Sequence, residues 1–427
     1  MRDTILLFTI VCLVLAAVAD AYAQDSLNVE LVGMIDFQGD FARDVIVVGD
    51  LAYVMGRDGL LIIDLSDPEN PDSVGYCEIF ANDIAVSGDY AYVATWDSGL
   101  RVISVADPEY PEEVGYCDIY EGSFVTVSGD YAYVTSWEGG LRVISVFDPE
   151  APEEVGYCDM LWETLGVAIS GDYAYVAAWV RGFRIISVAD PENPEEVGLY
   201  DVEEAAFCVF ASDDDLVYVT VGILHGYGAY EGTGFHIIDV SDPENPDSVG
   251  FCETGGGSIF VSGNLAYSTT SNRGGFPSDG DLYIIDVSDP ENPNEIGFYE
   301  TPGAACNVFV SGDLIYVADF TNLGIYRFIN PDEVNNNPVS SVPVEYSLSA
   351  PYPNPFNPTT VTIIDLPQTS FLRVSVHNIL GEQIDVLADG QFTAGNHSLV
   401  FDGTGLPSGI YFIHAEVKEK MNEVRKV

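Results

Sequence analysis

The sequence predicts an all-β chain: a seven-bladed β-propeller closed by an N-terminal strand, followed by a small antiparallel Ig-like β-sandwich. Three observations carry that expectation. A turn-tyrosine pattern recurs seven times, with its aromatic residue at Tyr53, Tyr92, Tyr133, Tyr175, Tyr218, Tyr267 and Tyr316. The last repeat lacks its final strand, and a matching segment stands near the start of the chain. Beyond Phe328 the repeat ends, and short strand-like runs divided by Gly and Pro take over.

One repeat contains Ile84–Ser87, a Gly-Asp turn, Tyr90–Ala94, a loop, Leu100–Val105, an Asp-Pro-Glu turn and Val114–Ile119. Apolar and polar residues alternate in these runs and helical periodicity is absent, so each run reads as a short strand. Four-stranded units of about forty residues, repeated several times, are the mark of a propeller, with an open solenoid as the alternative. Ring closure separates the two. The seventh unit stops after Gly324–Phe328, while Glu30–Asp36 matches Glu112–Asp118 column for column. An N-terminal strand that completes the last sheet leaves no unpaired edge, whereas an open array leaves two.

The expected domains are a secretory leader at residues 1–23, the propeller at 24–329, a linker at 330–345 and the sandwich at 346–427. The leader is read from Arg2, the apolar run Ile5–Val18 and the small residues of Ala21-Tyr22-Ala23. No later run of apolar residues is long enough to span a bilayer. The linker is read from the Asn- and Pro-rich 330–343. In the sandwich, strands are expected at Thr360–Asp365, Leu372–Asn378, Ile384–Ala388, His397–Phe401 and Gly409–Val417.

The net charge is -54, and the three lysines, Lys418, Lys420 and Lys426, stand at the C-terminus. Such a field repels nucleic acid and anionic lipid headgroups, so neither is an expected partner. The acidity reads as solubility or adaptation to a saline habitat, with divalent-cation or cationic-polymer binding as the sharper alternative. Outside the leader, Cys77, Cys117, Cys158 and Cys252 share one repeat column, and Cys208 and Cys306 are aligned in another. Equivalent positions on successive blades lie too far apart for a disulfide, so buried free thiols are expected.

Gly234-Phe-His-Ile-Ile-Asp-Val-Ser-Asp-Pro-Glu-Asn-Pro246 and Leu282-Tyr-Ile-Ile-Asp-Val-Ser-Asp-Pro-Glu-Asn-Pro293 resemble the LVIVD repeat of bacterial propellers, over about residues 27–329. The resemblance implies architecture and an extracytoplasmic setting, and brings no catalytic motif. Tyr352-Pro-Asn-Pro-Phe-Asn-Pro-Thr-Thr360, Val376–Gly381, Ala394-Gly395 and Gly405–Tyr411 resemble the C-terminal sorting domain of the type IX secretion system, over about 346–427. That resemblance implies export through the periplasm and across the outer membrane by the type IX machinery, to a secreted or cell-surface location. The end, Lys418–Val427, is more charged than the family's usual final strand. A carbohydrate-binding or adhesive sandwich is the alternative for this domain.

Catalytic signals are sparse. His225, His236, His377, His397 and His414 form no metal-ligand spacing, and no nucleophile elbow, Walker loop or dinucleotide fingerprint is present. Gly255-Gly-Gly257 reads as a tight loop. The Asp-Pro-Glu-Asn-Pro segments at 67–71, 190–194, 242–246 and 289–293 raise the thought of calcium, but proline presets a turn and aspartate caps it, which explains them locally. No metal and no cofactor is expected.

The candidate ligand-binding residues lie in the loop after the second strand of each unit: Arg57, Trp96, Trp137, Trp179, Gly222, Ser271 and Phe320. Three consecutive units place tryptophan there, on the same face as the blade-to-blade connections. A row of aromatics stacks on sugar rings or anchors a protein, or else packs blade against blade. The expected site is Trp96, Trp137, Trp179 and Phe320, with Asp44 and Asp83 adding polar contacts near the channel mouth. The expectation is therefore an exported, non-catalytic binding or scaffolding protein with a protein or glycan ligand. The alternative is a secreted hydrolase or lyase with a metal in the central channel.

Overall fold

The computed structural model describes residues 26–330 and 346–427, apart from positions 38–41, 57, 138, 161–162, 203, 213, 226–228, 271, 274–279, 350, 352–358, 404–405, 407–408 and 419. The expected leader, the linker beyond Asn330 and most of the motif at 352–360 lie outside the described residues. Every element assigned among the described residues is a β-strand. The chain divides into two compact units, the first made up mainly of residues before Pro331 and the second mainly of Pro331–Val427.

The first unit contains seven antiparallel sheets. Sheet one is built from Asp44–Val48, Leu51–Met55, Gly59–Asp64 and Asp72–Glu78, and sheets two to six repeat that order within 83–117, 122–158, 167–200, 205–252 and 259–301. Sheet seven takes Ala305–Ser311, Leu314–Asp319 and Asn322–Phe328 from the end of the repeat array, and its fourth strand is Val29–Asp36, with Leu31 opposite Tyr326. The expected N-terminal closure is present. One feature was not legible in the sequence: Ser26–Leu27 adds to sheet six opposite Tyr299 and Phe298, so the first described residues clasp two sheets.

Apolar alternation produces this arrangement because both faces of each sheet are covered by neighbours. Tyr53, Met55 and Ile62 of sheet one pack with Ile84, Val93 and Ile103 of sheet two. The succession returns to its start, where Val45, Val54 and Ile63 share a core with Tyr316, Leu323 and Ile325 of sheet seven.

The fourth strand of each sheet carries a bulge before an invariant glycine. A Cβ on Gly33, Gly75, Gly115, Gly156, Gly198 or Gly250 would meet the carbonyl oxygen of a proline in the neighbouring sheet's Asp-Pro turn, as at Gly115, 2.1 Å from Pro149 O. The turns are self-contained. Asp67 Oδ1 accepts from the Glu69 N–H and Asp67 Oδ2 from the Asn70 amide at 3.1 Å, and Asp190, Asp242 and Asp289 repeat the pattern. Proline, aspartate and glycine are thus one device that seats sheet on sheet at six junctions, while Gly297 of sheet six instead faces Leu27 O and the Phe328 ring.

The second unit packs Ser347–Leu348, Thr359–Leu366 and Gly395–Asp402 against a sheet of Gln383–Phe392, Ser370–Asn378, Tyr411–Val417 and Met421–Lys426. Leu348, Ile364, Phe401, Val374 and Ile413 form its core. The charged C-terminus departs from an apolar pattern yet forms a full strand, Met421–Lys426, against Phe412–Val417. Met421 and Val427 are buried, Arg425 is half-buried opposite buried Ile413, and Val424 is exposed, so the strand has an inner edge at each end but does not alternate apolar-in and charged-out.

Candidate functional site

The loop after the second strand lies beside the connections between sheets. Trp137 N–H donates to Glu121 O at 3.1 Å, Trp179 O accepts from Ala206 N–H at 2.9 Å, and Phe320 O accepts from Ala42 N–H at 3.0 Å. These residues therefore share one face of the unit with the sheet-to-sheet connections. Trp179 and Phe320 hold left-handed backbone conformations, φ +42° and +36°, which marks tightly constrained turns.

Trp96, Trp137 and Trp179 form a continuous row. Ring centroids are 5.3 Å apart for Trp96 and Trp137 and 5.4 Å for Trp137 and Trp179, with the planes inclined at 59° and 54°. Tilted contact of this kind is favourable and fixes the rings relative to one another. Trp96 is 39% exposed, while the other two are half-buried. The Trp179 indole N–H is buried and meets no acceptor among the described residues. The row thus packs sheet on sheet and also presents ring surface to solvent.

The other members of the column are dispersed. Gly222, expected in the loop, lies inside Leu216–His225, because in sheet five the second and third strands extend into a long arm, to which Asn272–Arg273 adds. Phe320 is half-buried on sheet seven, two sheets beyond the gap left by Gly222, and takes no part in the tryptophan row. Arg57 and Ser271 lie outside the described residues.

Asp44 and Asp83 are tied to the framework. Asp44 is 6% exposed; its Oδ1 accepts from Val45 N–H and its Oδ2 from Ile84 N–H in sheet two at 3.0 Å. Asp83 Oδ2 accepts from Val125 N–H of sheet three at 2.7 Å. Each carboxylate holds the first strand of one sheet to that of the next, which gives both a structural use.

A groove of about 410 Å³ opens beside Trp96, lined by Ile79, Phe80, Thr95, Asp97, Ser98, Arg101 and Glu113. Sequence reading missed it, because Phe80 sits in a connection and Arg101 in a strand. Their shared face follows only from the fold. Arg101 is fixed there by Glu113 at 3.4 Å and Asp118 at 3.6 Å, and lies over the Tyr116 ring at 4.7 Å.

The six described cysteines are free thiols on separate strands. Burial pushes Cys77, Cys117, Cys158 and Cys252 above the usual thiol range, and Cys208 up to about 11, which leaves them poor nucleophiles. Cys208 and Cys306 do not share a column. The hairpin of sheet five is longer, so Cys208 pairs with Thr220 whereas Cys306 is the bulged residue of its strand. His236 lies between the Tyr200 and Phe251 rings, tilted against both, and burial lowers its basicity.

Comparison with known proteins accords with this geometry. The LVIVD repeat family matches residues 39–78, 80–119, 123–160, 163–202, 226–254, 256–301 and 302–325. The secretion system C-terminal sorting domain matches residues 350–427. No curated protein matches. Among solved structures, the β-propeller domain of Cps50 (Swd1) from Myceliophteria thermophila is similar at 10% identity and a TM-score of 0.55, over 70% of this chain and 99% of that one. A chain of the mitotic checkpoint complex is similar at 12% identity and a TM-score of 0.53, over 70% and 94%. At such identities these likenesses show the propeller fold alone. The sorting domain marks the chain for type IX secretion, to the outer membrane or cell surface. With its repeats matched over more than half its length, the chain belongs to the LVIVD-repeat β-propeller proteins and ends in a type IX secretion C-terminal sorting domain.

Proposed function

We propose that this is a surface-delivered binding protein that engages an extracellular protein or glycan through the loop face of its propeller and catalyses no reaction. The observation that carries this reading is the row Trp96–Trp137–Trp179 with the groove beside it. Aromatic rings already locked against one another lose little conformational freedom when a ligand covers them, so ring area converts efficiently into affinity. The sorting domain supports an external setting, where such a face meets glycans and proteins.

The test compares the purified protein with Trp96→Ala/Trp137→Ala/Trp179→Ala in glycan and protein pull-downs from the extracellular milieu. Loss of one specific ligand, with the thermal unfolding profile kept, is the expected result. Equal recovery by both proteins rules the face out.

A further inference from the structure

The repeat serves as its own control. The strand registers align Leu61, Arg101, Arg142, Arg184, His236, Tyr283 and Gly324 in one column of the third strand. Arginine therefore occurs there in sheets two, three and four, the same three sheets that carry the tryptophans. Each guanidinium is gripped by two carboxylates: Arg101 by Glu113 and Asp118, Arg142 by Glu154 and Asp159 at 3.5 Å each, Arg184 by Glu196 and Asp201 at 3.7 and 3.6 Å. Sheets two to four thus repeat one set of side chains three times in succession. A receptor whose groups repeat at a fixed interval matches a ligand whose groups repeat.

We propose, on the basis of the binding role above, that the ligand is a linear, uncharged glycan laid along sheets two to four, with successive sugar rings against successive tryptophans. Charge selects the class. Each set contains one guanidinium and two carboxylates, and the chain as a whole carries -54, so polyanions are repelled and each of these guanidiniums is already paired. A sugar ring offers what the site lacks: an apolar C–H face for the indoles, and hydroxyls that both donate to Asp97 and Glu113 and accept from Arg101. Here the ring centres advance by 5.3 and 5.4 Å, a step close to the length of one pyranose unit. The groove beside Trp96 receives the terminal sugar of the chain.

Length dependence tests this directly. Calorimetric titration of the purified protein with cello-, xylo-, manno- and N-acetylated chito-oligosaccharides, from single sugars to hexasaccharides, is expected to show one series whose affinity climbs to the trisaccharide and then levels off. Trp96→Ala, at the most exposed ring, shifts that break to the disaccharide and weakens the trisaccharide about tenfold. Trp96→Phe restores most of the loss, and unchanged thermal unfolding of both variants excludes misfolding as the cause. Affinity independent of length, or binding confined to charged polymers, overturns the glycan assignment. A tryptophan-dependent protein ligand found where every neutral series fails overturns it too, yet leaves the binding role standing. Absence of any tryptophan-dependent ligand removes both.

Discussion

Asp319 and Tyr326 lie together in the interior of sheet seven, both 0% exposed; burial first, and then the charge of Asp319, hold the Tyr326 hydroxyl well above the usual phenol range. The other six sheets show how unusual this is. The Tyr326 position is Ile63, Ile103, Ile144, Ile186, Ile238 and Ile285 elsewhere, all fully buried, and the Asp319 position is Thr95 in sheet two and Ser136 in sheet three. The tyrosine ring folds back over Gly324, where sheets two to four have arginine and where a Cβ would come within 2.4 Å of the tyrosine hydroxyl. Asp319 Oδ1, Asn322 Oδ1 and the Tyr326 hydroxyl are all buried without a partner among the described residues.

This cluster makes the stability of the first unit depend on pH. Burial raises the Asp319 carboxyl from 3.8 to about 7, against the opposing pull of the Gly303 and Thr321 N–H groups and the Asn322 amide. The folded state therefore keeps a proton that the unfolded chain has released between those values. The stabilisation is complete below 3.8, falls as pH rises, and is lost above about 7. Asp319→Asn removes that slope. Urea unfolding at pH 5 and pH 8 is expected to show the variant gaining on the parent at the higher pH, and an equal difference at both contradicts the account.

Removal of the N-terminal clasp separates its two parts. Deletion through Asp36 exposes the edge of Asn322–Phe328 and is expected to lower the unfolding midpoint sharply and to promote self-association, visible by size-exclusion chromatography. Deletion through Leu27 alone removes a two-residue pairing on sheet six and costs less than about 1 kcal/mol. Equal effects would mean that closure rests on something other than the strand Val29–Asp36.

Glycines of the fourth strand and of the hairpin turns respond differently to alanine. Gly115→Ala drives a Cβ into Pro149 O and is expected to destabilise by about 1–3 kcal/mol. Gly129→Ala meets open space and pays only for its φ of +58°, about 1 kcal/mol. Thermal melts of the two variants rank them, and the reverse order refutes the seating role of the Asp-Pro turn.

Asp44→Ala strips the acceptor from a buried backbone N–H at Ile84 and is expected to cost about 1–3 kcal/mol of stability while ligand capture by the tryptophan face persists. Capture lost at full stability would instead make Asp44 part of the binding surface.

Much of this was legible one residue at a time. The seven tyrosines, the alternating strands and the truncated last repeat gave the sheet order and the N-terminal closure, because strand patterning and the need to pair an edge are local and arithmetic properties. Boundaries moved by a residue or two, as with Asp83–Ser87 for an expected 84–87. Where a hairpin changed length, column arithmetic slipped, as it did for Cys208 against Cys306 and for Gly222. The tryptophan row could be anticipated as a column, but neither the ring contacts nor the groove formed with Phe80 and Arg101 could.

The amino-acid order alone determined the repeat, its number, the strand that closes it, the net charge of -54 and the exported character carried by the last domain. Only the tertiary structure decided which polar groups are consumed by the framework, as at Asp44 and Asp83, and which, like Trp96, keep a face to solvent. The reason is physical: periodicity assigns a side chain to a strand and a face, but whether a neighbouring sheet covers that face depends on contacts between residues about forty positions apart.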